Sequence, residues 1–386
     1  MTRPVEVLDT ADAVTVMARL AVALESGGPA LLPRDPAAHR LPAAPTHVAR
    51  NVAVVVETSG STARPKQVAL SADALLASAA ATAGAIGQGE WVLALPTHYI
   101  AGLQVLVRSL AAGTAPQVLP PGSFEPVAFR DAAARLGHDG RYTSLVPAQL
   151  RRLLDAAEDD TELAAALRSF DAILLGGQRA PAELVDRATA SGLRVIRTYG
   201  SSETAGGCVY DGVPLARTIV REREGQLEIA GPMLAEGYIG DPERSASTFI
   251  TDEGRRWYRT GDTGRVTSGP TGAMVEVTGR LDDVFISGGI KVSTADIERI
   301  IQTIPGLHGA VVIAVPDREW GQRAVVVGDG RLRMARPGLN EVRDRVTAEL
   351  GPAAAPRDLR WMEAGLARLA SGKADRRTIA ATLDGV

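Results

Sequence analysis

The chain reads as an α/β protein: a large N-terminal domain of mostly parallel, covered sheets with a small β-rich subdomain, followed by a smaller α+β C-terminal domain. Three observations predict this. From Asn51 onward, short apolar runs alternate with helix-period segments, the pattern of a parallel sheet covered on both faces. After Gly206 the texture turns to short strands and Gly-rich turns. From Leu281 it turns again, into a compact mixture of strands and helices of about a hundred residues. The boundary falls between residues 280 and 281, giving domains 1–280 and 281–386.

Residues 1–50 predict one helix, Ala11–Glu25, and then a Pro-rich connection. Val52–Val56 is an all-apolar buried strand, followed by the helix Ala72–Ile86. The alternation continues through strand Trp91–Leu95, helix Leu103–Ala112, strand Gln117–Leu119 and helix Pro126–Leu136. Strand Thr143–Val146 precedes helical segments reaching Ser169; strand Ala172–Leu175 precedes helix Pro181–Ser191; Arg194–Ile196 closes the series. Gln226–Ala230, Arg256–Arg259 and Met274–Thr278 are the strands of the β-rich part. The C-terminal part reads as a strand, helix Thr294–Thr303, strands Ala310–Val315 and Arg323–Val327, and helix Leu339–Leu350.

Composition narrows the function classes. The 386 residues suffice for two or three domains, and a 45% apolar, 23% charged make-up is that of a soluble globular protein. A net charge of −3 gives no basic field for nucleic acid. No apolar run reaches the roughly 18 residues of a membrane span, and Met1–Pro4 opens no signal core. Cys208 is alone, so no internal disulfide forms, which suits a reducing cytoplasm.

Of the 42 basic residues only Lys66, Lys291 and Lys373 are lysines. Each lies in a Gly- or Ser-rich loop, where a compact ammonium does what a planar guanidinium cannot. Chance survival of three lysines under codon bias is the alternative to a functional role. Thr58-Ser59-Gly60-Ser61-Thr62-Ala63-Arg64-Pro65-Lys66 follows a strand and precedes a helix, a place where N–H groups and hydroxyls can cradle phosphate; an ordinary turn reads the same way. Tyr199-Gly200-Ser201-Ser202-Glu203-Thr204 offers a ring that can stack on a base and a carboxylate that can hold Mg²⁺, or is a strand running into a turn. Tyr258-Arg259-Thr260-Gly261-Asp262 offers an Asp for vicinal hydroxyls, or an Asp turn. Gly279-Arg280-Leu281-Asp282-Asp283, with Ser287-Gly288-Gly289 beyond, marks the boundary, and Ser371–Arg377 alone reads as a solvated basic tail.

In this order and spacing, with Gly225–Pro232 and Gly237-Tyr238 as a further match, these segments resemble the adenylate-forming superfamily of acyl-CoA synthetases, adenylation domains and luciferases, from Val52 to Arg377. Within it, Pro96–Gln104, Thr143–Leu150 and Leu174–Gln178 look like the o-succinylbenzoate–CoA ligases of menaquinone biosynthesis in a short actinobacterial form. The resemblance implies a cytoplasmic, AMP-forming acid–thiol ligase using ATP, Mg²⁺ and coenzyme A on a small carboxylate, with a homodimer as a family option.

It also implies roles. Thr58, Ser59, Gly60, Ser61, Thr62 and Lys66 would hold phosphates. Glu203 would ligate Mg²⁺. Tyr199, with Gly200 and Ser202 beside it, would sandwich adenine against Gly176, Gly177 and Gln178. Asp262 and Arg280 would hold the ribose, and Lys373 would bridge carboxylate and α-phosphate. Asp282 would be the hinge of a mobile C-terminal domain, and Ser287, Gly288 and Gly289 would line the pantetheine tunnel. For a substrate with a second carboxylate, Arg108 is the candidate clamp, with Tyr99, Gln104, Ser201 and Thr204 as polar neighbours. Gln104 and Arg108 are i,i+4 on one helix face; a helix-surface arginine is the plainer reading.

The chain departs from the family at several points. Ala63 and Gln67 replace glycines near the phosphate loop, His98 stands one place early with Tyr99 in its position, and Ala367 and Leu369 replace a common Pro and Thr. Few residues precede Thr58, so part of one subdomain is expected to be trimmed. Two other readings are a ligase or stand-alone adenylation enzyme for another aryl or fatty acid, and a non-catalytic nucleotide-binding homologue.

Overall fold

The computed structural model describes residues 1–25, 27–35, 42–58, 66–137, 140–269, 272–331, 336–368 and 374–383. The chain divides into two compact units, one of Met1–Arg221, Glu228–Thr260 and Val266–Val275, the other of Glu222–Leu227, Gly261–Arg265 and Glu276–Val386.

The first unit holds two large sheets. The seven-stranded sheet runs Val213–Pro214, Gly206–Tyr210, Val195–Ser201, Ala172–Leu175, Arg141–Leu145, Glu90–Leu93, Gln117–Val118. Its last five strands are parallel, as the alternating pattern predicts. The parallel series does not end at Ile196, however: the last strand runs on to Ser201, and two antiparallel strands extend the sheet beyond it. Gly200 permits this return, since a Cβ there would lie 2.1 Å from the Gly206 carbonyl oxygen.

Side chains alternate across the parallel strands. Val92, Leu145, Ile173 and Leu175 meet Phe129, Leu150, Leu153, Leu163, Leu167 and Leu184 from four helices in one dry core. Helices Ala72–Ile86 and Ile100–Ala112 pack on the sheet as well, with the former also against the six-stranded sheet.

The six-stranded sheet runs Gly237–Tyr238, Lys66–Ser71, Val52–Thr58, Ala30–Arg34, Thr2–Asp9, His47–Ala49. Three of these strands lie in residues 1–50, where the sequence predicts only a helix and a connection. Pro4 and the charged residues of Thr2–Asp9 obscure its alternation, yet Arg3 is buried and donates to the carbonyls of Gly27, Gly28 and Pro29 just past helix Ala13–Leu24. A second correction concerns the phosphate loop. It joins two antiparallel strands, Thr58 pairing with Lys66, and is not a strand-to-helix turn. The helix starts later, capped by the Ser71 hydroxyl. Gln67, in place of a glycine, is tied by its amide to Glu57 at 2.9 Å, while Glu57 also pairs with Arg34.

The four-stranded sheet of Ile219–Arg223, Gln226–Ala230, Arg255–Arg259 and Phe249–Asp252 holds two of the three expected β-rich strands; Met274–Thr278 falls outside it, and Ile219–Arg223 and Phe249–Asp252 are additions. The strands Asp262–Gly269 and Gly272–Arg280 form a two-stranded ribbon.

In the second unit a five-stranded sheet is built from Ile290–Ser293, Val284–Ser287, Gly321–Asp329, Val311–Asp317 and Asp358–Met362. Period-2 alternation divides its faces. Val312, Ala324 and Val326 meet Ile297, Ile300, Ile301, Val342 and Val346 of two helices, while Val311, Ile313, Val325 and Val327 meet Leu366 and Ile379. Strand Asp358–Met362 and helix Arg376–Leu383 are additions to the predicted pattern. Arg376 is therefore not part of a solvated tail: it donates to both Glu298 carboxylate oxygens at 2.6 Å and to the Val312 carbonyl at 2.7 Å. Burial pushes the Glu298 carboxyl upward, against the pull of Arg376.

Candidate active site

The first unit brings three distant segments together at Glu203. This residue sits on the one-turn helix Ser202–Thr204, directly after strand Val195–Ser201, and is buried. Its backbone carbonyl accepts from Ala235 N–H at 2.8 Å. The Tyr238 hydroxyl donates to its Oε1 at 2.8 Å, and Lys66 Nζ lies 3.8 Å from the same oxygen. Lys66 also stands 5.3 Å from the centre of the Tyr238 ring. Tyr238 reaches this point because Gly237–Tyr238 pairs with the strand that Lys66 begins. Its burial, then the neighbouring Glu203 charge, raise its pKa, so it remains a donor.

Around Glu203 the backbone is held tightly. Thr204 Oγ1 accepts from Ser201 N–H at 2.9 Å and donates to the Gly206 carbonyl at 2.7 Å. Ala205 (φ 49°) and Gly206 (φ 106°) turn the chain through the left-handed region. Ser202 is buried, and Ser201 Oγ is buried with no hydrogen-bond partner among the described residues. Tyr199 is half-buried where the strand register shifts to Gly200. Gly176, Gly177 and Gln178 follow the adjacent parallel strand, Leu175 pairing with Arg197. Tyr199 and this turn thus share the carboxyl end of neighbouring strands, where open α/β sheets bind ligands. Gly176 must be small, since a Cβ there would lie 2.4 Å from Thr198 Oγ1.

The acyl candidates lie on helix Ile100–Ala112 and just before it. Gln104 is fully buried; its amide donates to Ala205 O at 2.7 Å and Leu75 O at 3.3 Å, pinning the left-handed turn. Arg108 is buried, not on the surface. Its guanidinium lies 5.0 Å from the centre of the Trp91 ring, and its Nε has no hydrogen-bond partner among the described residues. Burial lowers its pKa and Tyr210 partly offsets this, but a guanidinium stays charged at neutral pH. Tyr99 is half-buried, its ring 4.2 Å from that of His98, whose Nδ1 is 3.1 Å from Thr10 Oγ1. Burial lowers the His98 pKa and raises that of Tyr99.

In the second unit, Arg280 pairs with Asp262 at 3.0 Å and with Asp282 at 2.7 Å. Burial opposes its charge, but the Asp282 hydrogen bond and the nearby carboxylates outweigh it and raise its pKa. Ser287 is buried, and Gly288 (φ 58°) and Gly289 (φ 81°) form the two-residue turn to strand Ile290–Ser293. Ser59, Gly60, Ser61, Thr62 and Lys373 lie outside the described residues.

Sequence reasoning assigned no role to Tyr238, Trp91, Ser78, Thr82 or Tyr210. The available signal was Ser78 and Thr82, an i,i+4 polar pair interrupting an Ala-rich helix.

The "AMP-binding enzyme" family profile matches residues 4–268, and "AMP-binding enzyme C-terminal domain" matches 296–373. A "Probable 2-succinylbenzoate--CoA ligase" of Mycobacterium tuberculosis is 42% identical over 335 residues, 85% of this chain and 84% of the relative. The 2-succinylbenzoate--CoA ligase of Salmonella typhimurium is 31% identical, covering 79% of this chain and 63% of its own. Escherichia coli MenE, solved with a bound m-phenylether-linked analogue of OSB-AMS, superposes with a TM-score of 0.73 at 23% identity, over 99% of this chain and 88% of that one. The fold is that of adenylate-forming enzymes, and the chain belongs to the AMP-binding enzyme family.

Proposed function

We propose that this chain is an AMP-forming acid–thiol ligase that converts 2-succinylbenzoate to its coenzyme A thioester, a step of menaquinone biosynthesis, in the cytoplasm. A carboxylate oxygen attacks the ATP α-phosphorus and displaces pyrophosphate. The coenzyme A sulfur then attacks the acyl carbon, AMP leaves, and the thiol proton passes to solvent. Relatives named for this activity support the reading.

The observation that carries the substrate choice is Arg108. A buried cation with no ion pair among the described residues is costly, and a ligand anion would complete it. A dicarboxylate supplies one carboxylate to react and another for Arg108. Gln104, Ser201 and Thr204 would shape the adjoining wall, and Tyr99 the entrance.

Glu203 would hold Mg²⁺. One buried carboxylate suits an ion that keeps several waters and takes its other oxygens from phosphates, and no cluster of three or more His, Cys, Asp or Glu among the described residues could hold a metal alone. Bound there, the ion would neutralise charge on the departing pyrophosphate. Lys66, beside Glu203, and Thr58 would meet the phosphates together with Ser59–Thr62. Tyr199 and Gly176–Gln178 would enclose adenine. Asp262 and Arg280 are assigned to the ribose, Asp282 to the hinge of a C-terminal domain 281–386, Ser287–Gly289 to the pantetheine arm, and Lys373 to the carboxylate and α-phosphate oxygens.

The test is Arg108→Ala with 2-succinylbenzoate and with 4-oxo-4-phenylbutanoate, which lacks the ring carboxylate. The expected result is a KM raised about 100-fold for the first acid and little changed for the second. An equal effect on both would make Arg108 a packing residue.

A further inference from the structure

Between helix Ala72–Ile86, helix Ile100–Ala112 and strand Gly206–Tyr210 lies a buried polar column of two tiers. Each element contributes two residues four apart: Ser78 and Thr82, Gln104 and Arg108, Gly206 and Tyr210. Four-residue spacing places both members on one face of each helix, while on the strand Gly206 lies beside Gln104 and Ser78 and the Tyr210 hydroxyl reaches Thr82. The tier of Thr82, Arg108 and Tyr210 is internally paired except for its cation. Thr82 Oγ1 and the Tyr210 hydroxyl are 2.9 Å apart.

The other tier is not paired. Ser78 is 2% exposed and its hydroxyl has no hydrogen-bond partner among the described residues. Gln104 is 0% exposed; its amide nitrogen is used, but its Oε1 has no partner there either. Both residues border Gly206. A Cβ built on Gly206 would lie 3.3 Å from Gln104 Cγ and 3.8 Å from Ser78 Oγ. Gly206 cannot readily be replaced, because its φ of 106° is rarely open to an L side chain. Gly206 thus sets its backbone beside the free Ser78 hydroxyl, three residues from Glu203. An unmet buried hydroxyl costs free energy that a ligand acceptor would recover.

We infer that Ser78 is a further specificity-determining residue, its hydroxyl donating to a carbonyl oxygen of the acyl chain next to the ring that Arg108 anchors. This rests on the proposed 2-succinylbenzoate ligase activity and deepens it. In that acid a ketone joins ring and chain, one group away from the ring carboxylate. With its oxygen toward Ser78, the adjoining methylene faces Gln104 Oε1, a weak C–H donor against a lone acceptor. Gln104 thus acts chiefly as a positioning residue for the Ala205–Gly206 turn.

The experiment compares 2-succinylbenzoate with 2-(3-carboxypropyl)benzoate, in which the ketone is a methylene and both carboxylates remain. Pyrophosphate release is measured for wild type, Ser78→Ala and Ser78→Cys, the last keeping the volume with a weak donor. Wild type is expected to prefer the ketone roughly tenfold in kcat/KM, mostly through KM, and both variants to lose that preference. The separate preference of 2-succinylbenzoate over 4-oxo-4-phenylbutanoate, which depends on Arg108, is expected to survive in the Ser78 variants. Equal use of ketone and methylene by wild type overturns the inference, even if neither variant folds. So does an equal loss on both acids in Ser78→Ala. Turnover of neither dicarboxylate, with turnover of another acid, defeats the ligase proposal and this inference with it.

Discussion

Glu203 shows how one carboxylate is prepared by its neighbours. Tyr238 fixes one oxygen with a 2.8 Å hydrogen bond, and Lys66 balances the charge from 3.8 Å. Hydrogen bonds to an ionised acceptor contribute about 1.5–3 kcal/mol. Tyr238→Phe is therefore expected to raise KM for Mg·ATP by about tenfold while the far-ultraviolet dichroism is unchanged; an unaltered KM would reduce Tyr238 to a packing residue. Cys208 carries a different expectation. Burial pushes its thiol up from an ordinary 9.0 to about 12. The unfolded chain releases that proton near 9 and the folded chain near 12, so the contribution to stability is complete below pH 9 and is lost as pH rises toward 12. Cys208→Ala should show a shallower alkaline fall in urea-unfolding stability over that window, and parallel curves would remove the thiol from the explanation.

Secondary elements decide which residues can meet. Helix Thr294–Ile301 is joined to strand Val311–Asp317 and helix Arg376–Leu383 by Glu298, which accepts from Val312 N–H and from Arg376. Arg376→Ala leaves that carboxylate poorly compensated and should cost about 1–3 kcal/mol in urea unfolding; no change would mean that Ile379 alone docks the last helix. The turn at Gly288-Gly289 gives a sharper contrast. Both have positive φ, but a Cβ on Gly288 would press 2.6 Å from the Trp320 ring, whereas Gly289 meets nothing within 4 Å. Gly288→Ala should destabilise clearly more than Gly289→Ala, and equal costs would show that backbone strain alone is at work. Local pattern made many of these elements legible: helices Ala72–Ile86 and Leu339–Leu350 begin and end where their periodicity predicts. Strand Lys66–Ser71 was not legible, because its apolar run passes into an Ala-rich helix without a breaker. Thr2–Asp9 was hidden by polar residues whose partners, such as the carbonyls around Gly28, come from elsewhere in the chain.

Across the first unit, one sheet delivers Lys66 and Tyr238 and the other leads into Glu203, while helix Ile100–Ala112 supplies Gln104 and Arg108. The order and spacing of the motifs made the family readable in sequence. The pairing of Tyr238 with Glu203, the seat of Arg108 on Trp91 and the open Ser78 hydroxyl were not readable, since each joins residues far apart in the chain. The family reading and the buried Arg108 lead to one experiment: pyrophosphate release with ATP and Mg²⁺, with and without coenzyme A, comparing 2-succinylbenzoate, benzoate, succinate and a medium-chain fatty acid. Release with 2-succinylbenzoate alone, and its coenzyme A thioester when the thiol is added, is the predicted result. Release with benzoate or the fatty acid but not with 2-succinylbenzoate would contradict it, leaving an adenylating enzyme for a monocarboxylate.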